Sequence, residues 1–182
     1  DVAQDPNDKE HYFVTSYGMG ILEMQGKKVI KHYTPANSGL ISAVGNMPDK
    51  YTRTDGIMYD DKGNLWILNT GGEKLGCAHV IASNGKWTSL QFLYNNTPIY
   101  LHTPGDMFMD RRDPSHKWIA LPRSETGMIL LQDNGTPHNP NDDKITYRTT
   151  WIDQNNNPIA PANIYTAVQD RNNTIWVGTS AG

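Results

Sequence analysis

Residues 65–70 read Leu-Trp-Ile-Leu-Asn-Thr, so an extended strand here carries Leu65, Ile67 and Asn69 on one face and Trp66, Leu68 and Thr70 on the other. Both faces are largely apolar, which predicts a strand buried between two neighbouring layers. Similar short runs recur along the chain, each bounded by Asp, Asn, Gly or Pro. Within 53–95 they predict four strands: "GIMYDD", "LWILNTG" after the turn Asp61-Lys62-Gly63-Asn64, then "HVIASNG" and "KWTSLQFLY" joined at Asn84-Gly85. Asn-Gly between two apolar runs is a strong hairpin signal, because both residues tolerate positive φ. Residues 104–153 repeat the plan with "GDMFMDR", "KWIALPR", "GMILLQDNG" and "KITYRTTWID". Residues 1–35 supply "YFVTSYG", "GILEMQG" and "KKVIKHY", with a stub before Asp5 as first strand, and 162–182 supply "YTAVQDR" and "TIWVGTS". The i, i+3, i+4 apolar spacing of a helix is nowhere sustained without a Gly, Pro or Asn cluster breaking it.

Four times an Asp-rich turn or its degenerate copy is followed by an aromatic residue and a small, Gly-containing exit. The aromatic anchors Phe13, Trp66, Trp118 and Trp176 lie 53, 52 and 58 residues apart, and Asp60, Asp110 and Asp170 precede the last three. A period near fifty marks a propeller or solenoid. The expected fold class is all-β: a β-propeller of four-stranded antiparallel blades, present as an incomplete fragment of about three and a half blades, two complete and two partial. The blade units fall at 1–35, 53–95, 104–153 and 162–182. Four blades is about the lower limit for closing a ring, so a fragment of a longer protein is expected. Its cut blade edges should favour self-association.

Composition narrows the partners. Net charge is −3, with no long basic run, which argues against nucleic acid as the main partner. No stretch approaches the roughly 18 apolar residues of a membrane span. The single cysteine, Cys77, excludes an internal disulfide and a Cys-pair metal site, and is expected to be a small buried apolar residue.

The candidate chemistry is sparse. Asp60, Asp110 and Asp170 are expected to cap turns by accepting backbone N–H groups, and the three tryptophans to pack between blades. Binding aromatics are better sought outside the strands, at Tyr51, Tyr94 and Tyr100. The loop from Asp133 to Asp143 gathers carboxylates and amides. Asp133, Asn141, Asp142 and Asp143 form a candidate calcium site, since that ion takes about six to eight oxygen ligands, although the spacing is not that of an EF-hand. His11, His32, His79, His102, His116 and His138 show no zinc-hydrolase spacing, and no serine sits in a nucleophile elbow. No catalytic residue and no cofactor other than calcium is assigned.

"AVQDRNNTIWVGTSAG" and "IMYDDKGNLWILNTGG" resemble the two-component-regulator propeller repeat: an apolar pair, an acidic pair or Gln-Asp, a short turn, then Trp and a small-residue exit. Over nearly the whole chain, "DPNDKEHYFVTSYGMGILEMQGKKVIKHYTPANSGL" and "DNGTPHNPNDD" are similar to the opening propeller of PorZ-type proteins of type IX secretion. The resemblance implies an exported protein of the bacterial periplasm or cell surface. It also implies a non-enzymatic binding or scaffold role towards a protein, glycan or lipopolysaccharide partner. One alternative is the periplasmic oligosaccharide-sensing propeller of a hybrid two-component system. The other is a propeller-type polysaccharide lyase or glycosidase, which would need a Tyr/His or paired-carboxylate cluster on one face.

Overall fold

The structure is a computed structural model and describes residues 1–48, 50–71, 78–99, 101–123, 127–161 and 163–182. The expectations for Cys77 and Tyr100 lie outside the described residues. Among those residues every regular element is a strand.

The first sheet unit is the antiparallel meander β1 (Val2–Asp5), β2 (Asp8–Gly18), β3 (Gly20–Gln25) and β4 (Lys28–Tyr33). The residues before Asp5, expected to be a stub, are a paired strand. Val2 lies opposite Val14 and Ala3 opposite Phe13. Thr15 N–H also donates to the Asp1 carbonyl at 3.0 Å, and Ala3 is buried, which fixes the strand in place.

The second unit is β5 (Thr52–Tyr59), β6 (Leu65–Asn69), β7 (Ala78–Ile81) and β8 (Trp87–Leu90). A short pairing of Tyr17 with Arg53 and Gly18 with Thr52 joins it to the first. The run expected to continue to Tyr94 instead breaks after Leu90, where β9 (Leu93–Tyr94) and β10 (Thr97–Pro98) form their own hairpin. Asn95 and Asn96 adopt φ of 50° and 61°, the geometry of a tight two-residue turn, and Phe92 is drawn into the core.

The third unit is β11 (Met107–Met109), β12 (His116–Ala120), β13 (Met128–Gln132) and β14 (Lys144–Arg148). A hairpin of β15 (Trp151–Ile152) and β16 (Pro158–Ile159) follows, so the run 144–153 also divides. Last come the paired strands β17 (Ile164–Gln169) and β18 (Ile175–Thr179). The described strands thus form three four-stranded units and the final pair β17–β18, with the two small hairpins β9–β10 and β15–β16 beside them, where two complete and two partial units were expected.

The first strands β1, β5, β11 and β17 are neighbours in that order, which stacks the units about a common axis. At that axis Gly56 N–H donates to the Gly105 carbonyl at 3.2 Å. A Cβ on Gly56 would come 2.5 Å from that oxygen, so the approach requires glycine.

Three apolar layers fill the gaps between units. The alternation along β6 splits between two of them. Leu65 and Ile67 join Phe13, Ile21 and Tyr33 against the first unit, while Trp66 and Leu68 join Met107, Ile119 and Ile129 against the third. Ala120, Met128, Ile164 and Ala167 fill the layer between the third and fourth units, with Trp118 packed on it. Phe13, Trp66 and Trp118 therefore each face the following unit. Trp66 is fully buried, Trp118 is half-buried, and Trp176, on the outer face of β17–β18, is 62% exposed. The expectation that all three tryptophans pack between blades is not met at Trp176, because no described strand stacks on its face.

That gradient has a thermodynamic consequence. Trp66→Ala should destabilise by about 3–5 kcal/mol, whereas Trp176→Ala should cost about 1 kcal/mol or less. Urea unfolding of the two variants reads the difference directly, and equal losses would contradict this packing.

Candidate functional site

The aspartates of the turns do more than cap. Asp60 Oδ1 accepts from the backbone N–H of Lys62 at 2.9 Å and of Asn64 at 2.8 Å, while Oδ2 accepts the Trp66 indole N–H at 2.9 Å. Asp170 repeats this with Asn172, Thr174 and the Trp176 indole at 2.8, 2.9 and 2.9 Å. Asp110 takes the Trp118 indole at 3.2 Å, and its second oxygen accepts from Gln169 of β17 at 3.0 Å. The Arg112 guanidinium beside Asp110 holds its carboxyl well below the usual carboxylate range. In Asp170 the indole bond and the turn N–H groups lower the carboxyl likewise. The signal for this partnership was present in the sequence, because Trp follows Asp by six residues in two copies and by eight in the third.

In the first unit the register puts Phe13 where Trp66, Trp118 and Trp176 stand, opposite the residue two before the turn aspartate. Phenylalanine has no N–H to give. The bond to Asp5 comes instead from His11, whose Nδ1 lies 3.1 Å from Asp5 Oδ2.

Lys117 of β12 is 2% exposed. Its ammonium donates to Asp133 Oδ2 at 2.5 Å and to the Pro114 carbonyl at 2.8 Å, and lies 4.7 Å from the Trp66 ring centroid. A cation from the third unit thus sits on the aromatic anchor of the second.

Three of the four candidate calcium residues are committed to separate tasks. Asp133 binds Lys117 and caps its turn through Gly135 N–H at 2.9 Å. Both Asp142 oxygens lie within 3.0 Å of Thr136 Oγ1, and Asn141 reaches Asn139 at 3.3 Å. Asp143 stands apart: Oδ2 is shielded and unpaired, and burial with the nearby charges of Asp133 and Asp142 pushes its carboxyl up to about 7. Among the described residues no three His, Cys, Asp or Glu side chains converge to hold a metal. Of the four residues, Asp133, Asn141 and Asp142 are thus engaged by other protein groups.

A cleft of about 190 Å³ opens near the start of β5, lined among others by Tyr17, Arg53, Asp55, Asp106, Arg123 and Tyr165. The Arg53 guanidinium lies 4.7 Å from the Tyr17 ring centroid and 5.0 Å from that of Tyr51, and Arg123 lies 5.9 Å from Tyr17. Arg53 Nε is shielded from solvent with no acceptor among the described residues. Tyr51 adopts φ of 64°, a costly conformation for a bulky residue. The three tyrosines are each about half exposed. Burial, reinforced by the charge of Asp106, raises the Asp55 carboxyl. Sequence spacing suggested none of this, since the arginines and carboxylates come from loops and strand ends of different units. Of the candidate binding aromatics, Tyr51 lies against Arg53 of this cleft, while Tyr94 stands edge-on to Tyr147 with centroids 5.1 Å apart.

His79 has a structural role. Fully buried, it contacts Ser89 Oγ at 3.0 Å and Asn69 Oδ1 at 3.2 Å, and burial lowers its pKa to about 4. Asn69 in turn binds the backbone of Ile41 and Arg53, fastening the connection between the first two units and the strand that carries Arg53.

Residues 158–181 match the two-component regulator propeller family. Among solved structures the chain is similar to PorZ, described as an essential bacterial surface component of the type-IX secretion system of Porphyromonas gingivalis. The TM-score is 0.79 at 25% identity, covering 98% of this chain and 23% of that one. It is also similar in fold to the extracellular domain of BT4673 from B. thetaiotaomicron, assigned to a one-component system. Here the TM-score is 0.56 at 14% identity, covering 98% of this chain and 26% of that one. The chain therefore spans about a quarter of the length of either structure. No curated protein matches it. The fold is a β-propeller architecture with a two-component-regulator repeat, similar to PorZ.

Two outcomes follow from the buried charges. Lys117→Met should cost about 3–5 kcal/mol, because it strands Asp133 without its cation. Adding Asp133→Asn should recover part of that loss, measurable in a double-mutant cycle. Asp143→Asn should be neutral near pH 4 and stabilising at pH 8. The wild-type carboxyl, raised in the folded state, resists ionising, so wild-type stability falls relative to the variant between about pH 4 and pH 7 and is then level. Melting temperatures of both proteins across that range test it.

Proposed function

We propose that the chain is a non-catalytic binding module of a bacterial cell-envelope protein, and that its partner docks at the cleft of Arg53, Tyr17 and Arg123. The observation that carries this reading is the shielded, unpaired Arg53 Nε held between two tyrosine rings. A guanidinium aligned in this way is prepared for a carboxylate or phosphate, with half-exposed tyrosines beside it to stack on a sugar or a planar group. Similarity to a bacterial surface component and to an extracellular domain supports an exported location. The partner is then an envelope glycan or lipopolysaccharide carrying acidic groups, or an acidic segment of a secretion protein.

A second reading is favoured by the match at 158–181 and by the fold of the BT4673 domain. On that reading the same cleft belongs to the sensory propeller of a signalling protein and reads an oligosaccharide. The two readings share the cleft and differ in what the rest of the protein does.

Catalysis is the less favoured use. The turn aspartates are occupied by N–H donors, which leaves Asp55 and Asp106 as the carboxylate pair of the cleft. Calorimetric titration with acidic oligosaccharides should show binding that Arg53→Ala weakens at least about tenfold, the loss of one charge-assisted contact, with an unchanged melting temperature. Binding unaffected by Arg53→Ala and Arg123→Ala would move the site elsewhere. Cleavage of an acidic polysaccharide, abolished by Asp55→Asn, would replace the binding reading with an enzymatic one.

A further inference from the structure

We propose that His11 is a proton-operated clamp that ties β1 to β3 and thereby sets how the first unit packs on the second. Nδ1 lies 3.1 Å from Asp5 Oδ2 and Nε2 lies 2.9 Å from Glu23 Oε1, so each ring nitrogen faces its own carboxylate. A neutral imidazole has one N–H and can satisfy only one of them, leaving its lone pair against the other. Only the imidazolium donates to both.

The surroundings favour that form. Asp5 belongs to the end of β1, Asp8 to the start of β2 and Glu23 to β3, while Lys62 is the cation of the β5–β6 turn that lines the same groove. From β4, Tyr33 donates its hydroxyl to Glu23 Oε2 at 2.7 Å, with Lys31 4.5 Å above the Tyr33 ring; Tyr59 of β5 stands opposite. Burial opposes the charge on His11, but the hydrogen bonds to Asp5 and Glu23 and their charges outweigh it, so its pKa is raised.

The clamp reaches the neighbouring unit through rings. His11 stands edge-on to Phe13 at 5.1 Å; Phe13 meets Tyr59 at 6.4 Å; Tyr33 meets Trp87 of β8 at 5.7 Å. Phe13 and Tyr33 belong to the layer that joins the two units. Loss of the proton therefore turns a nitrogen lone pair towards one of two carboxylate oxygens, Asp5 Oδ2 or Glu23 Oε1, beside the interface, and Glu23 is also the acceptor that orients Tyr33.

The direction is fixed by linkage. A histidine whose pKa is higher in the folded state contributes stability that is complete below the unfolded value near 6.5 and is lost as pH rises through the folded value. Each unit of elevation changes the folding equilibrium constant about tenfold.

Proton NMR of the intact chain should give a His11 pKa above about 6.5, with the Trp87 indole resonance shifting at the same midpoint. Wild type should lose denaturant midpoint between about pH 6 and pH 9, while His11→Gln, which cannot titrate, loses less across that range. Glu23→Gln should keep a titrating His11 with a lowered pKa. The proposal is overturned if His11 in the wild type titrates at or below about 6.5, which requires no variant to fold. It is equally overturned if Trp87 ignores the His11 midpoint, or if His11→Gln follows the wild-type pH profile.

Discussion

The carboxylate at the end of each unit's first strand organises the fold, because its two oxygens serve two scales of structure. One oxygen gathers the N–H groups of the turn and so sets the register of the hairpin. The other holds the indole N–H of an aromatic residue on the returning strand, which in the buried Trp66 would otherwise be a donor without an acceptor in an apolar layer. With its polar atom satisfied, tryptophan can offer its remaining surface to the next unit. Local turn chemistry is thereby coupled to packing between blades. The same turn appears without an aromatic partner at Asp153, where Asn155 and Asn157 N–H groups bind Oδ1 at 2.8 Å each. That turn closes only the small hairpin of β15 and β16, which shows the capping half of the device on its own.

Because Phe13, Trp66 and Trp118 face forward, the layers differ in what closes over the anchor. Trp66 is met by Lys117, an ammonium buried from solvent whose charge is balanced by Asp133 and whose position is fixed by the Pro114 carbonyl. A buried pair of this kind adds little net stability over an apolar match but penalises misregistered packing, since a shifted β12 would bury one charge without the other. The apolar residues around it supply the burial energy, and the pair selects the register. The axial glycines act in the same way through space rather than charge, since only Gly56 allows β5 to meet the Gly105 backbone.

Much of this architecture was legible in the sequence. The period of the aromatic anchors, the Asn-Gly turn at residues 84–85 and the two-sided apolar run of β6 all encode local rules that survive folding unchanged. The strand ends were not legible, because Asn95-Asn96 closes a hairpin of its own and Phe92 leaves the sheet for the core, both tertiary outcomes. The first strand was read as a stub because its apolar content is only Val2 and Ala3; its pairing with β2 is decided by backbone bonds. The candidate site was least legible. Arg53, Tyr17, Tyr51 and Arg123 come together from three successive units, and no spacing along the chain announces a contact between loops of different blades. The acidic loop at residues 133–143 shows the converse, where a conspicuous composition is consumed by Lys117 and Thr136.

The first unit shows how a degenerate repeat gains chemistry. In the other units one side chain both bonds the turn aspartate and packs against the next layer. There the donor is inert to pH, because an indole N–H does not titrate in water. With Phe13 at the register position, packing and bonding are divided between two residues on the same face of β2, and the donor becomes an imidazole. The substitution brings a second nitrogen, and Glu23 of β3 occupies it. A contact that elsewhere joins two strands of one hairpin thus joins three strands, and its strength depends on a proton. The geometry of the repeat is retained while one of its fixed contacts becomes a titratable one, placed at the layer where the first unit meets the second.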